Sequence, residues 1–481
     1  MTNRKALSVI AVLLAFIMLP LSCAINPVTG KRELMLVTQQ DELALGKQSD
    51  VEIGRVYGFY ENKAVSDYVN RIGQSIARNT HQPNMEYHFK VLDTPIINAF
   101  AVPGGYVYVT RGILAYMNDE AELAGVIGHE LGHVNARHIA RQMTKQQLTI
   151  LGLNVGMALS KTIQEYAGLA QFGVSILFLK FSRDDERQAD NLGVEYSSKT
   201  GYDSNRMAAF FETLERLSPE SGASLPEWFS THPNPVNRVA AVQAKTAEWQ
   251  KTLNKAQYAV NRNEYLKAID GIVFGDDPRQ GYAEGSAFYH PTLRFTFPVP
   301  SGWKVNNTPA QVQMVSEKQD AAIILLAGNE KSVSAAADTF IQRAKAAVKS
   351  REKITVNGLQ AEKIVARVIS DEDTLQVMSC FIAKGGTIYT FHGLTGWQHY
   401  SRYSNEFSNT MSGFKNLDDA SKINVKPELL HVKTVTKAGN LSSALKQLGT
   451  SDADLEQRTI LNGMKGTDNV SVGTLLKIVS K

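Results

Sequence analysis

Val126-Ile127-Gly128-His129-Glu130-Leu131-Gly132-His133-Val134-Asn135-Ala136-Arg137-His138 is the stretch from which the rest of the chain is read. Residues four apart on a helix differ by about 40° in direction, so His129 and His133 leave one face with Glu130 on its flank. Asn118 and Asp119 stand where a helix cap is needed, and Glu122 lies where a capping box places its acid. Ala121, Leu123, Ala124, Ile127 and Leu131 supply the apolar positions. A rigid helix is therefore expected to bring two imidazoles and a carboxylate to one point.

Neutral imidazoles suit zinc, and a carboxylate beside them can take a proton from water whose pKa a catalytic zinc lowers to about 7. Such a site uses three protein ligands and keeps one position open. A metzincin would have a glycine and a further histidine where this chain has Ala136 and Ile139, so the third ligand has to come from elsewhere. His138 falls roughly 140° around the helix from His133, which gives it a surface or packing role. The candidate third ligand is Glu186, in Ser182-Arg183-Asp184-Asp185-Glu186-Arg187-Gln188-Ala189-Asp190. On a second helix Glu186 and Asp190 share a face, so one can ligate while the other accepts a hydrogen bond from a ligand histidine. Small Ala189 permits close packing there. Taken alone, the same run also reads as an ordinary charged helix start.

Upstream, Tyr87 to Leu92 reads as a strand, and Tyr106 to Thr110 as a second strand after the turn signal Pro103-Gly104-Gly105. An edge strand near a metal helix can hold an extended peptide by its backbone. An ordinary hairpin is the plain alternative. Downstream, Trp228-Phe229-Ser230-Thr231-His232-Pro233-Asn234-Pro235-Val236-Asn237-Arg238 is a proline-fixed loop, with Arg238 opening a new helix. A lone loop histidine is by itself structural or exposed.

His129-Glu130-Leu131-Gly132-His133 followed by Glu186-x-x-Ala189-Asp190 resembles the gluzincin metallopeptidases of the HtpX, BepA, Oma and CAAX prenyl endoprotease family, in its exported bacterial lipoprotein branch. The resemblance implies one zinc ion per chain on His129, His133 and Glu186, with Glu130 as general base. Asn98, Ala99, Phe100, Ala101 and Val102 match the family's substrate-edge segment. Thr231-His232-Pro233 and Arg238 match a further family motif. It implies that His232 donates to the oxyanion or holds the fourth zinc position in a resting enzyme, and that Arg238 fixes the loop or helps neutralise that charge.

At the start of the chain, Arg4 and Lys5 precede an apolar run from Ala6 to Leu21 that ends at Ser22-Cys23. The run is short for a spanning helix and has the basic start of an export signal. With Cys23 after it, the segment resembles a lipoprotein signal, although Pro20 stands where such a signal usually has leucine. Lipidation at Cys23 is the reading taken. A plain secretory signal or an uncleaved anchor stays open, and export follows in each case. Residues 1–22 are then the signal and 23–40 a leader.

The 481 residues are 43% hydrophobic and 20% charged, enough for two or three cores. A formal net charge of +4 leaves no nucleic-acid footprint. Cys380 is the only other cysteine, so an acylated Cys23 leaves no internal disulfide. Apolar runs from Leu148 to Ser160 and Tyr166 to Leu179 fall short of the roughly 20 residues needed to cross a bilayer. They read as buried or lid helices flanking the cleft.

The peptidase domain is placed at 41–270, a linker at 271–289, where breakers cluster, and an α+β accessory domain at 290–416. In that domain Ala321 to Leu326 reads as a buried strand and Ala335 to Val348 as a helix. His392 and His399 read as structural. Residues 417–481 form a linker and a separate tail resembling a LysM-like βααβ module, a type that can bind peptidoglycan. The fold class expected is α+β: a mainly helical zincin domain with a small edge-stranded sheet, then an α+β domain and the small module.

The functional expectation is a lipid-anchored zinc endopeptidase of the bacterial periplasm, on the outer rather than the inner membrane. Its partners would be unfolded or extended polypeptides; peptidoglycan binding by the tail stays open, since this copy has no clear aromatic platform. Two other classes stay open: an envelope chaperone or assembly scaffold with a mostly latent peptidase, and a cell-wall amidase.

Overall fold

The computed structural model describes residues 23–154, 181–217, 227–232, 237–369 and 374–481. The expected signal at 1–22, most of the apolar stretch between 148 and 179, and Pro233 to Val236 lie outside the described residues. The fold is α+β, and the chain divides into two compact units. The first is built mainly from the chain up to Gly275 and from Leu429–Ser480, the second mainly from Asp276–Glu428.

The first unit begins with the short antiparallel pair β1 (Cys23–Ile25) and β2 (Arg32–Leu34). Helix α1 (Gln39–Tyr57) starts at Thr38, whose hydroxyl accepts from the Asp41 amide while Asp41 caps Thr38 in return. Helix α2 (Lys63–Ala77) turns Val65, Val69, Ile72 and Ile76 inward at helical spacing. A three-stranded sheet follows, of β3 (His88–Leu92), β4 (Ala99–Val102) and β5 (Tyr106–Thr110) in the order β3-β5-β4. Because β5 lies between its parallel partner β3 and its antiparallel partner β4, β4 is an edge.

The β4–β5 connection is held tight at two glycines. Gly104 and Gly105 have φ of 80° and 87°, and a Cβ at Gly105 would lie 2.4 Å from the Glu86 carbonyl oxygen. Helices α3 (Arg111–Tyr116), α4 (Glu120–Asn135), α5 (His138–Asn154), α6 (Arg183–Thr200), α7 (Asn205–Arg216), α8 (Glu227–Thr231), α9 (Arg238–Leu253) and α10 (Arg262–Ile269) complete this part. The short strand β6 (Val273–Phe274) ends it. One continuous core joins α2, the sheet and α4 through residues such as Val69, Val107, Ile127, Leu131, Phe210 and Trp228.

In the second unit a seven-stranded antiparallel sheet spans Lys304–Asn307 at one edge to Ala347–Val356 at the other. The expected strand at 321–326 is the third of these, Ala321–Gly328. The helix expected at 335–348 stops earlier, at Arg343, because Lys345 turns to φ 48° and Ala347 starts the edge strand. Phe288, Phe295, Phe297, Phe391, Phe407 and Phe414 fill one core of this unit.

The tail, expected as a separate piece, belongs to the first unit. Strand Glu428–Thr434 lies between Leu475–Ser480 and β6, with helices Leu441–Gln447 and Leu455–Leu461 in between. Fully buried Lys477 donates from Nζ to the carbonyls of Ala115 (2.8 Å) and Met117 (2.7 Å), just before α4. Arg262 Nη2 reaches the Leu475 carbonyl at 3.2 Å.

Candidate metal centre

Helix α4 is the element expected from the motif. Asp119 caps it by accepting from the Glu122 amide at 2.9 Å, and the Glu122 carboxylate accepts from the Asn118 amide at 2.7 Å. All of its residues are buried, so it is enclosed rather than amphipathic. Its glycines set how closely α6 approaches. A Cβ on Gly128 would meet the Gly193 carbonyl oxygen at 2.9 Å, and one on Gly132 the Ala189 carbonyl oxygen at 3.0 Å. Two backbones at this separation bring short and medium side chains from both helices to one point.

That point is formed by His129, His133, Glu186 and His232, all buried, whose ligating atoms lie within 4.8 Å of one another. His129 Nε2 lies 3.1 Å from His133 Nε2 and 3.3 Å from His232 Nδ1. Glu186 Oε1 lies 3.0 Å from His232 Nδ1 and 3.5 Å from His133 Nε2. Ligands held about 2.0–2.1 Å from a tetrahedral ion are about 3.3 Å from one another. The four separations bracket that value, and three imidazoles with one carboxylate are a donor set that zinc accepts. The residues present fit the ion.

Protonation agrees. Burial pushes His129 down to about 3 and lowers His133, which keeps both imidazoles neutral as ligands must be. Burial opposes ionisation of Glu186, yet His232, His133 and His129 around it hold it well below the usual carboxylate range. His232 is raised, because Glu186 and Glu130 outweigh the burial that works against its charge.

Around this group stand the other expected residues. Asp190, one turn beyond Glu186, places Oδ1 2.9 Å from His129 Nδ1. Arg238, at the start of α9, donates to Asp190 from Nε (2.9 Å) and Nη2 (2.7 Å) and lies 3.4 Å from Glu186. Asp190 is lowered, Arg238 prevailing over burial. Glu130 is buried with Oε1 3.5 Å from His232 Nε2, and it accepts a backbone hydrogen bond from Ala101. Burial first, and Glu186 second, push it up to about 8 against the opposing effect of His232.

The Ala101 contact ties Glu130 to the edge strand. Asn98 pairs inward with Thr110, so alternate residues Ala99 and Ala101 point their backbone groups away from β5. Asn98 to Val102 are nevertheless all buried, and the Trp228 amide donates to Ile97 O at 3.3 Å where the edge begins. Beside the site a cavity of about 380 Å³ is lined by Leu43, Met85, Val102, Pro103, His133 and Ile139, among others.

Three neighbours were not anticipated. Trp228 stacks on His232 at 4.3 Å between ring centroids, and Phe181 covers His133 at 4.1 Å. The third, His138, is a correction. It is buried with Nδ1 2.9 Å from His133 Nδ1, because α4 ends at Asn135 and Arg137 turns to φ 54°, so the 140° projection along one helix does not apply. The only sequence signal for it was a third histidine close behind the motif.

Residues 63–246 match Peptidase family M48. A protein named beta-barrel assembly-enhancing protease from Yersinia pestis is 31% identical over 187 residues, covering 37% of this chain and 38% of the relative. The mitochondrial metalloendopeptidase OMA1 of Arabidopsis thaliana is 34% identical over 167 residues, covering 33% and 31%. Its namesake in Schizosaccharomyces pombe is 27% identical over 227 residues, covering 46% and 65%. The chain thus spans well under half the length of the first two relatives. Zinc is the cofactor of the matched domain.

Proposed function

Because residues 63–246 form a domain of Peptidase family M48, we propose that the chain is a zinc endopeptidase of the bacterial cell envelope acting on unfolded or misassembled envelope proteins. The observation that carries the reading is the convergence of His129, His133 and Glu186 on one buried point with Glu130 beside it. The names of the Yersinia and Arabidopsis relatives support proteolysis, and the Yersinia name supports an envelope setting. Export and lipidation at Cys23 are supported by the basic start, the apolar run and the cysteine after it.

His129, His133 and Glu186 hold the ion. When bound, zinc supplies Lewis acidity toward a carbonyl and acidifies water at the site. Glu130 takes the proton of the attacking water and returns it to the leaving amine; burial makes it a stronger base than an exposed glutamate. A substrate strand aligns on the outward backbone groups of Ala99 and Ala101, one of which already contacts Glu130. Asp190 and Arg238 are positioning residues: the first orients the His129 ring, the second holds the first.

A latent resting state is the second reading. His232 Nδ1 stands at the fourth corner of the ligand group, Trp228 takes Ile97 O at the head of β4, and the edge residues are buried. In this state His232 holds the fourth position, and movement of α8 frees it to donate to the oxyanion.

Cleavage of unfolded casein by the full chain, compared with Glu130→Gln and with peptidoglycan digestion under the same conditions, tests the proposal. Casein cleavage lost in Glu130→Gln supports the endopeptidase. Peptidoglycan digestion alone points to an amidase. No cleavage by the wild type with weak but measurable cleavage by His232→Ala, which opens the fourth position and loses the oxyanion donor, supports latency.

A further inference from the structure

His138 has no part in the ligand group, yet it is buried directly behind one of its members. We propose that His138, held by Gln188, is a positioning residue that fixes the tautomer and ring plane of His133 for the metal. The inference rests on reading His133 as a zinc ligand.

His133 turns Nε2 toward His129 Nε2 (3.1 Å) and Glu186 Oε1 (3.5 Å), and its Nδ1 away from them. A neutral imidazole that offers Nε2 as a ligand carries its single proton on Nδ1. That nitrogen lies 2.9 Å from His138 Nδ1, so His133 donates and His138 accepts. The proton of His138 is then on Nε2, where Gln188 Oε1 waits at 3.0 Å. With Gln188 presenting its oxygen and Asp185 Oδ1 3.7 Å from the same nitrogen, His138 keeps its proton on Nε2 and Nδ1 as the acceptor. Against a His138 held in that form, His133 protonated on Nε2 would set two lone pairs against each other.

The chain has to break to make this contact. Ending α4 at Asn135 and turning at Arg137 places His138 as the first residue of α5, beside His133 rather than around the helix from it. Arg137 holds the turn through Glu42 (2.9 Å) and the Val37 carbonyl (3.0 Å). Phe181 covers both rings, with centroids 4.1 Å from His133 and 6.2 Å from His138. The charged neighbours are Asp185, with Oδ1 3.7 Å from His138 Nε2, and Arg141, which pairs with that same oxygen at 2.8 Å. The two ligand histidines are thus oriented differently: His129 by a carboxylate held by arginine, His133 by a neutral histidine held by an amide.

The test measures zinc affinity of the full-length chain by chelator competition, with ¹⁵N NMR of the imidazoles in zinc-free protein. His138→Phe should weaken zinc binding about 10- to 100-fold. His138→Asn, whose side-chain oxygen can stand where Nδ1 does, should recover most of that loss, and Gln188→Leu should produce a smaller one. In wild type the His133 spectrum should be that of the Nδ1-protonated tautomer. His133→Ala separates the two levels of argument. Wild-type zinc affinity in His133→Ala removes the ligand assignment itself. Loss of zinc in His133→Ala with unchanged affinity in His138→Phe, or an Nε2-protonated His133, overturns the positioning role alone. If His138→Phe does not fold, unchanged affinity in Gln188→Leu together with the Nε2-protonated form overturns it.

Discussion

Arg238 grips Asp190 through two parallel hydrogen bonds of 2.9 and 2.7 Å, and Oδ1, which takes the shorter of them, also faces Nδ1 of His129 at 2.9 Å. The arrangement passes orientation from the start of α9 to a metal-facing ring. Arg238→Leu removes one partner of a buried pair and leaves Asp190 without its cation. Such truncations cost about 3–5 kcal/mol. Asp190→Asn keeps the shape and weakens the hold on His129, so it should lower zinc affinity about 10- to 100-fold with a smaller loss of stability. Chemical denaturation and chelator competition separate the two effects.

The closeness of α4 and α6 makes a second prediction. Gly128→Ala puts a methyl group 2.9 Å from the Gly193 carbonyl oxygen, and backbone cannot rotate aside as a side chain can. The helices must separate, at a cost of about 1–3 kcal/mol, carrying Glu186 away from the imidazoles. A lower melting temperature with weaker zinc binding is the expected result. Unchanged zinc binding would mean that the ligand group tolerates a wider spacing.

Lys477 gives a third. Lys477→Met keeps the length of the side chain and leaves the carbonyls of Ala115 and Met117 without their donor. Two unsatisfied buried acceptors cost about 1–3 kcal/mol each. Thermal unfolding followed by tryptophan emission should show the first unit weakened, because Trp228 lies in its core. A melting temperature equal to wild type would show that the tail does not brace this unit.

The fourth concerns pH and the second unit. Burial pushes both His290 and His392 down to about 4. Unfolded, each titrates near 6.5, so between about pH 6.5 and 4 the unfolded chain binds more protons than the folded one. Stability from these groups is full above about pH 6.5 and is lost as pH falls toward 4. The expected size is on the order of 1–3 kcal/mol per histidine. Scanning calorimetry across that range should show the loss, and His392→Gln should remove about half of it.

How far this could be read in advance varied with sequence distance. The cap at Asp119, the run of α4 and the turn at Gly104 and Gly105 were legible because each depends on residues within a few positions of one another. The pairing of α4 with α6 was legible only through a motif resemblance, since nothing local ties Glu186 to His133. The place of His138 was not, because a left-handed arginine ends the helix, and arginine carries no signal for that conformation. Lys345 hid the end of a helix in the same way. The tail looked independent because its strands pair with each other. Its attachment includes a buried lysine, the Arg262 contact and backbone pairing with β6, and none of these leaves a pattern.

Met117 and Lys477 are 360 positions apart in the chain, and the whole second unit is made between them. The floor beneath the motif helix is therefore laid only after the intervening unit has been synthesised. If the chain is the endopeptidase proposed, its site is braced only at the end of synthesis. By then no nascent strand of its own is left within reach to be cut.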